Sequence, residues 1–252
     1  MSSHELADLL IEARSNGRQL SLVDIGTVPA DADDAYRTQD RVAHALGWFR
    51  DARPTAWKVG AASATATPIA VPLPPAGVVR SPARFPAGTF HTIGIEAEIA
   101  FRFREEVETD AVDMTFDWGR VVGELVVTIE VVDSRIRDGG NAPALVKLAD
   151  AQLHGALVVG DAIPWRPLDW STLRAVVRRN GSVVAETLGA HPLGDPTLLL
   201  PWFVRHVAQR TGGVRAGDLV TAGTWTGILP ARPGDAIEAE FEGVGRVEVR
   251  FD

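Results

Sequence analysis

A chain of 252 residues, 46% hydrophobic and 23% charged, carries enough apolar material for a full core in one large domain or two smaller ones. Its formal net charge of −8, with acids and bases interspersed, argues against nucleic acid and anionic membrane surfaces as partners. Cysteine is absent, which excludes disulfides, thiolate metal sites and cysteine nucleophiles.

The first element reads as a helix. Ser2-x-x-Glu5 fits a capping box, Leu6, Leu9, Leu10 and Ala13 form an apolar stripe, and Asn16-Gly17 ends it. Acids break this stretch, so it lacks the pattern of a secretory signal, and no segment approaches the roughly 20 apolar residues that cross a bilayer. The expectation is a soluble, cytoplasmic protein. A second helix is expected from Asp33 or Asp34 to Gly47. Ala56-Trp-Lys58-Val-Gly60 follows, a short apolar run with one lysine inside it. The stretch from Pro68 to Pro86 is proline-rich and reads as a loop or flap.

From about Thr89 the pattern turns to strands. Arg174 to Glu186 predicts a hairpin with Asn180-Gly181 as a type I′ turn. Asp195-Pro196 opens a helix through Trp202, Phe203 and Val207 that stops at Gly212-Gly213. The Gly223-Thr-Trp-Thr-Gly227 turn and two alternating strands close the chain, with Ile237, Ala239 and Phe241 facing one way, as do Val247, Val249 and Phe251.

Three carboxylates stand out against this background. Glu96 and Glu98 lie one pleat apart on the same side of a strand-like run, Ile93 to Phe101, and Glu130 lies inside Val126-Val-Thr-Ile-Glu-Val-Val-Asp133. A buried, unpaired carboxylate is costly, so such a cluster points to an all-oxygen pocket for a hard divalent cation. Two alternatives stay open here. Acids at every second position also describe the solvated face of an antiparallel strand, and Glu130 can pair with Arg135 or Arg137. The chain carries no glycine-rich phosphate loop, no dinucleotide fingerprint and no Gly-x-Ser-x-Gly elbow. Its six histidines show no metal-ligand or triad spacing, and His154 is the one expected near the acids, as an ordinary interior or surface residue.

These segments together resemble the fumarylacetoacetate hydrolase superfamily, and within it the 2-keto-4-pentenoate hydratases, 2-oxohept-3-enedioate hydratases and 4-oxalocrotonate decarboxylases. The resemblance rests on Asp34-Ala-Tyr-Arg-Thr-Gln39, Trp57-Lys-Val-Gly60, Glu96-Ala-Glu-Ile-Ala-Phe101 and Ile129-Glu-Val-Val-Asp-Ser-Arg-Ile136. Leu148-Ala-Asp150 with Gly155 and Gly160, Gly223 to Gly227, and Arg232-Pro-Gly-Asp235 extend it over nearly the whole chain.

The resemblance implies an α+β fold: a mixed β-sandwich or roll, with an α-rich region at residues 1–88 and a β-rich catalytic region at 89–252. It implies Glu96, Glu98 and Glu130 as ligands of Mg²⁺ or Mn²⁺, Lys58 as the catalytic lysine, and Asp150, Thr224 and Thr226 as substrate-binding residues. Burial and a neighbouring cation would lower the Lys58 pKa, whereas a lysine that snorkels into water would do nothing of the kind. Ordinary turn chemistry is the alternative for the two threonines. The implied function is a metal-dependent lyase acting on a small 2-hydroxydienoate or 2-oxo acid in aromatic catabolism, with a homo-oligomeric assembly. Decarboxylation, acylpyruvate cleavage (for which His91 is poorly placed) and metal binding without turnover are the alternatives. The chain departs from its relatives in Ala70 to Gly77, where Pro72 and Pro75 replace two acids, and at Ala151-Gln152 after Asp150.

Overall fold

A computed structural model describes residues 3–26, 28–50, 52–113 and 115–252. Four α-helices and thirteen strands are found among them. The helices are α1 (Ser3–Asn16), α2 (Ala32–Ala45), α3 (Ala144–Ala149) and α4 (Leu200–Thr211). The strands are β1 (Ala56–Gly60), β2 (Ile69–Pro72), β3 (Val78–Arg80), β4 (Ala83–Phe85), β5 (Ile93–Phe103), β6 (Val122–Val132) and β7 (His154–Pro164). They continue as β8 (Arg174–Arg179), β9 (Ser182–Leu188), β10 (Leu219–Thr224), β11 (Leu229–Ala231), β12 (Ala236–Phe241) and β13 (Gly245–Phe251). None of the described helices is long and apolar enough to cross a membrane.

Helix α1 buries Leu6, Leu10 and Ala13, as its stripe requires; the Ser2 half of its expected capping box lies outside the described residues. Helix α2 begins at Ala32, earlier than its acids suggest, because Asp31 caps it by accepting from the Asp34 N–H at 2.8 Å. Asp195 caps a 3₁₀ turn, Pro196–Leu199, that leads into α4, and Gly212 ends that helix with φ at 82°. Asn180 and Gly181 both have positive φ, 52° and 81°, as a type I′ hairpin turn demands.

Two sheets form the body. The larger, eight-stranded sheet runs β2-β1-β10-β5-β6-β7-β3, with β11 added beside β5; the smaller runs β4-β13-β12-β8-β9. Between them lies the main core, in which Ile99, Phe101, Val127 and Ile129 meet Phe241, Val247, Val249 and Phe251. Gly160 marks a close approach of the two sheets: a Cβ there would lie 2.4 Å from the Arg246 carbonyl oxygen on β13. Helices α1, α2 and α3 pack with Val71 into a second cluster of their own. This is an α+β fold of two packed sheets with few helices.

The proline-rich segment is not a loop throughout. It holds β2, β3 and β4, each an end strand hydrogen-bonded to a single neighbour. An end strand tolerates proline because one of its edges needs no donor, and Pro72 sits at the end of β2. Residues 56–85 thereby contribute four strands to sheets otherwise built from the rest of the chain.

Candidate metal and active site

Strand register assembles the site on one face of the larger sheet. Glu96 on β5 lies directly opposite Glu130 on β6, and Glu98 lies opposite Thr128. On the other side of β5, Thr221 of β10 pairs with Ala100, and Lys58 of β1 pairs with Thr221. Side chains two residues apart share a face, so Lys58, Thr221, Glu98, Glu96, Thr128 and Glu130 all point the same way. The alternate residues, Ala97, Ile99, Val127 and Ile129, enter the core between the sheets. Apolar alternation thus aims the polar set away from the core.

It does not aim that set into water. Glu98 is 3% exposed and Glu130 0%, which rules out a solvated strand face. One oxygen from each of Glu96, Glu98 and Glu130 lies within 4.8 Å of the others. Glu130 pairs with neither Arg135 nor Arg137. Lys58 Nζ donates to Glu130 Oε1 at 2.5 Å and to the Gln152 carbonyl at 3.1 Å, while Arg135 is held by Asp150 and Asp133 and Arg137 is exposed. The snorkelling alternative for Lys58 fails as well, since its ammonium turns inward to a buried acid.

Electrostatics here are crowded. Burial first, then the neighbouring Glu130 charge, raises the Glu96 carboxyl to about 7, and Lys58 offsets only part of this. Burial and the charges of Glu130 and Glu96 push Glu98 well above the carboxylate range, although the Thr221 hydroxyl donates to its Oε2. Glu130 goes the other way: burial would raise it, but Lys58 and His154 outweigh that and hold it ionised. For Lys58 in the metal-free protein the balance runs upward. Burial acts downward, yet Glu130 and Glu96 together carry its pKa above the ordinary lysine value.

This donor set fits a hard dication. Three clustered carboxylates offer only oxygen ligands, and Glu130 Oε2 is buried without a hydrogen-bond partner. A 2+ charge would relieve both the mutual repulsion and the orphaned oxygen.

The carboxylates and Lys58 line the floor of a 530 Å³ cavity, joined on its walls by Val71, Gln152, His191 and Thr224. Two expected substrate contacts are placed elsewhere. Asp150 is 0% exposed and lies behind the wall, where it accepts from Arg14 Nη2 and Arg135 Nε, each at 3.0 Å. Thr226 spends its hydroxyl on the Gly227 carbonyl at 3.1 Å and does not line the cavity. Thr224 does, with its hydroxyl near Glu96. Pro72 and Pro75 both stand off the cavity; within that departing segment it is Val71 that lines it.

Several site residues escape a reading by sequence. His154 is buried at the site rather than merely near it: its Nδ1 lies 3.1 Å from Glu130 Oε1, and burial lowers its pKa. An ionised carboxylate only accepts, so Nδ1 carries the proton in that contact. His191 also lines the cavity, with Nε2 donating to the Ala222 carbonyl at 2.7 Å and Nδ1 accepting from the Leu193 N–H. Gly223 makes room for that ring, since a Cβ there would lie 3.1 Å from His191 Nε2 and φ is 87°. The local signal for Thr221 is a hydroxyl between the apolar residues Val220 and Ala222 of β10. Ala151, Gln152 and Leu153 have φ of 54°, 51° and 61°, three consecutive left-handed residues without a glycine. That turn aims the Gln152 carbonyl at Lys58.

Comparison with known proteins agrees with this architecture. The fumarylacetoacetate (FAA) hydrolase C-terminal family model matches residues 36–252. A 2-keto-4-pentenoate hydratase of Paraburkholderia xenovorans (strain LB400) is 28% identical over 261 residues, covering 98% of this chain and 94% of that protein. A 4-oxalocrotonate decarboxylase of Pseudomonas sp. (strain CF600) is 29% identical over 160 residues, covering 62% of this chain and 59% of that one. Among solved structures, 4-oxalocrotonate decarboxylase from Pseudomonas putida G7, complexed with magnesium and adipate, superposes with a TM-score of 0.83 at 23% identity, covering 100% of this chain and 99% of that one. Its complex with calcium and acetate gives 0.82 at 25% identity, covering 99% and 97%.

Proposed function

The chain belongs to the fumarylacetoacetate hydrolase family, and we propose that it is a divalent-metal-dependent lyase acting on a small 2-hydroxydienoate or 2-oxo acid, as a 2-keto-4-pentenoate hydratase does. The names of its relatives, hydratase and decarboxylase, mark it as an enzyme of this group. One observation carries the metal-dependent reading: three clustered carboxylates, two of them fully inside the protein, face a lysine across the floor of a cavity.

Glu96, Glu98 and Glu130 would hold Mg²⁺ or Mn²⁺, which supplies Lewis-acid stabilisation of the negative charge that develops on a 2-oxo group. Glu130 keeps its charge through Lys58 and His154, so it offers Oε2 without a proton to shed. Thr221 fixes the rotation of Glu98 by donating to Oε2. Lys58 is the proton carrier. Two of its three N–H groups serve Glu130 and Gln152, which leaves the third to give a proton to substrate and take it back. Thr224, on the wall, is a donor for a substrate carboxylate. Asp150 and Thr226 support the site from behind: Asp150 locks Arg135 and Arg14, and Thr226 holds the turn that presents Thr224.

The same reading makes the protein a cytoplasmic homo-oligomer of aromatic catabolism, supported by the family resemblance rather than by any one residue. Decarboxylation of a 2-oxo acid is the second reading, favoured by the likeness to the Pseudomonas putida G7 decarboxylase fold. Acylpyruvate hydrolysis has less support, because His91 is exposed and does not line the cavity.

Turnover of 2-hydroxypenta-2,4-dienoate, oxalocrotonate and an acylpyruvate, with and without Mg²⁺ or Mn²⁺, tests the proposal, with Glu98→Ala and Lys58→Ala as controls. Metal-dependent loss of one substrate, abolished in both variants, supports it and selects the reaction. Metal binding with no turnover of any of them would leave a binding protein.

A further inference from the structure

The floor of the cavity is charged, but its walls are not. Ile69, Val71, Leu145, Leu153 and Leu193 form much of the way out, and Ile228 stands at the rim 57% exposed, an isoleucine left in water beside the opening. Two cations touch the space. Lys58 is committed to Glu130 at the floor, and Lys147 lies at the rim with its ammonium donating to the Gly140 carbonyl at 3.2 Å in the open. No arginine is among the described residues that line the cavity. A volume of 530 Å³ falls in the range, roughly 300–1,000 Å³, that encloses ligands much larger than a 2-oxo acid head.

We propose that this site takes 2-oxo acids and their 2-hydroxydienoate tautomers whose tail is uncharged and apolar, and that it discriminates against tails ending in a second carboxylate. The inference rests on the head-group reading given under Proposed function. A carboxylate on the tail would lose water along apolar walls, with no buried cation among the described lining residues other than Lys58, which Glu130 holds, and three acids beneath it. Methylene groups gain there instead, by transfer from water to Ile69, Leu145 and Leu193. Leu145 and Leu193, both half-buried on the cavity wall, are the specificity-determining pair.

Calorimetric titration of the Mg²⁺-saturated protein with 2-oxobutanoate, 2-oxopentanoate, 2-oxohexanoate and 2-oxoadipate decides the matter without requiring turnover. Affinity should rise about fourfold per added methylene, and 2-oxoadipate should bind at least tenfold more weakly than 2-oxohexanoate, which has the same chain length. Leu145→Arg should narrow or invert that ratio by giving the distal carboxylate a partner. Lys147→Met should leave the ratio unchanged; a selective loss of 2-oxoadipate binding in that variant would assign Lys147 to a distal carboxylate and overturn the proposal. Equal or tighter binding of 2-oxoadipate to the unaltered protein would overturn the tail assignment alone. Failure of all four acids to bind, with Mg²⁺ and with Mn²⁺, would remove the head-group reading and this inference with it.

Discussion

Glu96 and Glu130 are direct cross-strand partners, one on β5 and one on β6, with their side chains on the same face of the sheet. Like charges placed directly opposite destabilise an antiparallel pair. Here a third acid, Glu98, is added one pleat away, and among the described residues one buried cation, Lys58, pairs with the cluster. The metal-free protein therefore holds its site under repulsion, and the sign of a substitution depends on whether a dication is present.

Glu98→Gln should show that reversal. Without metal, removing one buried acid from the cluster should raise the melting temperature by roughly 2–4 °C, the equivalent of about 1 kcal/mol for a chain of this size. With Mg²⁺ or Mn²⁺ the same change should lower affinity at least tenfold, and the variant should lose the thermal stabilisation that the metal confers on the unaltered protein. Differential scanning calorimetry in chelator and in excess Mg²⁺ reads both effects. A variant less stable than the parent in chelator would contradict the repulsion argument.

Lys58→Met removes the ammonium that pairs with a carboxylate that is 0% exposed. Breaking a buried pair from one side costs about 3–5 kcal/mol, because the remaining charge keeps its desolvation penalty. The metal-free variant should be destabilised on that scale by urea titration, and excess Mg²⁺ should restore part of the loss by taking over as counter-charge to Glu130. Turnover should not return with the stability.

Gln152→Gly probes the left-handed turn at Ala151–Leu153. Glycine adopts positive φ without the strain of about 1–2 kcal/mol that an L side chain carries there. The substitution should therefore be neutral or stabilising in thermal unfolding, although the same change in ordinary backbone costs stability. Because the Gln152 carbonyl accepts from Lys58, a looser turn should lower kcat more than it raises KM.

A pH dependence is expected away from the site. His206 of α4 stacks on Trp202 at 4.5 Å and lies 4.8 Å from Tyr36, whose ring also carries Arg210. Burial, then the Arg210 charge, lowers its pKa to about 4. An unfolded chain takes that proton near pH 6.5, so the folded state binds fewer protons between about pH 6.5 and 4. The contribution of neutral His206 is complete above that window and is lost as pH falls through it. The neighbouring Asp40, raised by burial, opposes this in its own acidic range. His206→Gln should flatten the fall in melting temperature from pH 6.5 to 5; an unchanged slope would place the acid sensitivity elsewhere.

Local periodicity determined much of this protein by itself. Alternation placed Glu96 and Glu98 on one face, the flanking aliphatics made β5 and β6 strands, and Asn180-Gly181 made a hairpin, because each depends on φ and ψ preferences within a few residues. Tertiary structure decided what those faces meet. Parallel pairing of β1 with β10, and antiparallel pairing of β10 with β5, carried Lys58 to Glu130 across 72 positions of sequence. Non-local pairing likewise turned a proline-rich stretch into three end strands and put Asp150 behind the wall with Arg135 instead of inside the cavity. It also brought His154 and His191 to the site from positions without ligand spacing. The reason is physical: a strand's own residues fix which side chains share a face, but its neighbours and register are fixed by the burial of both sheets at once, which no short window of sequence contains.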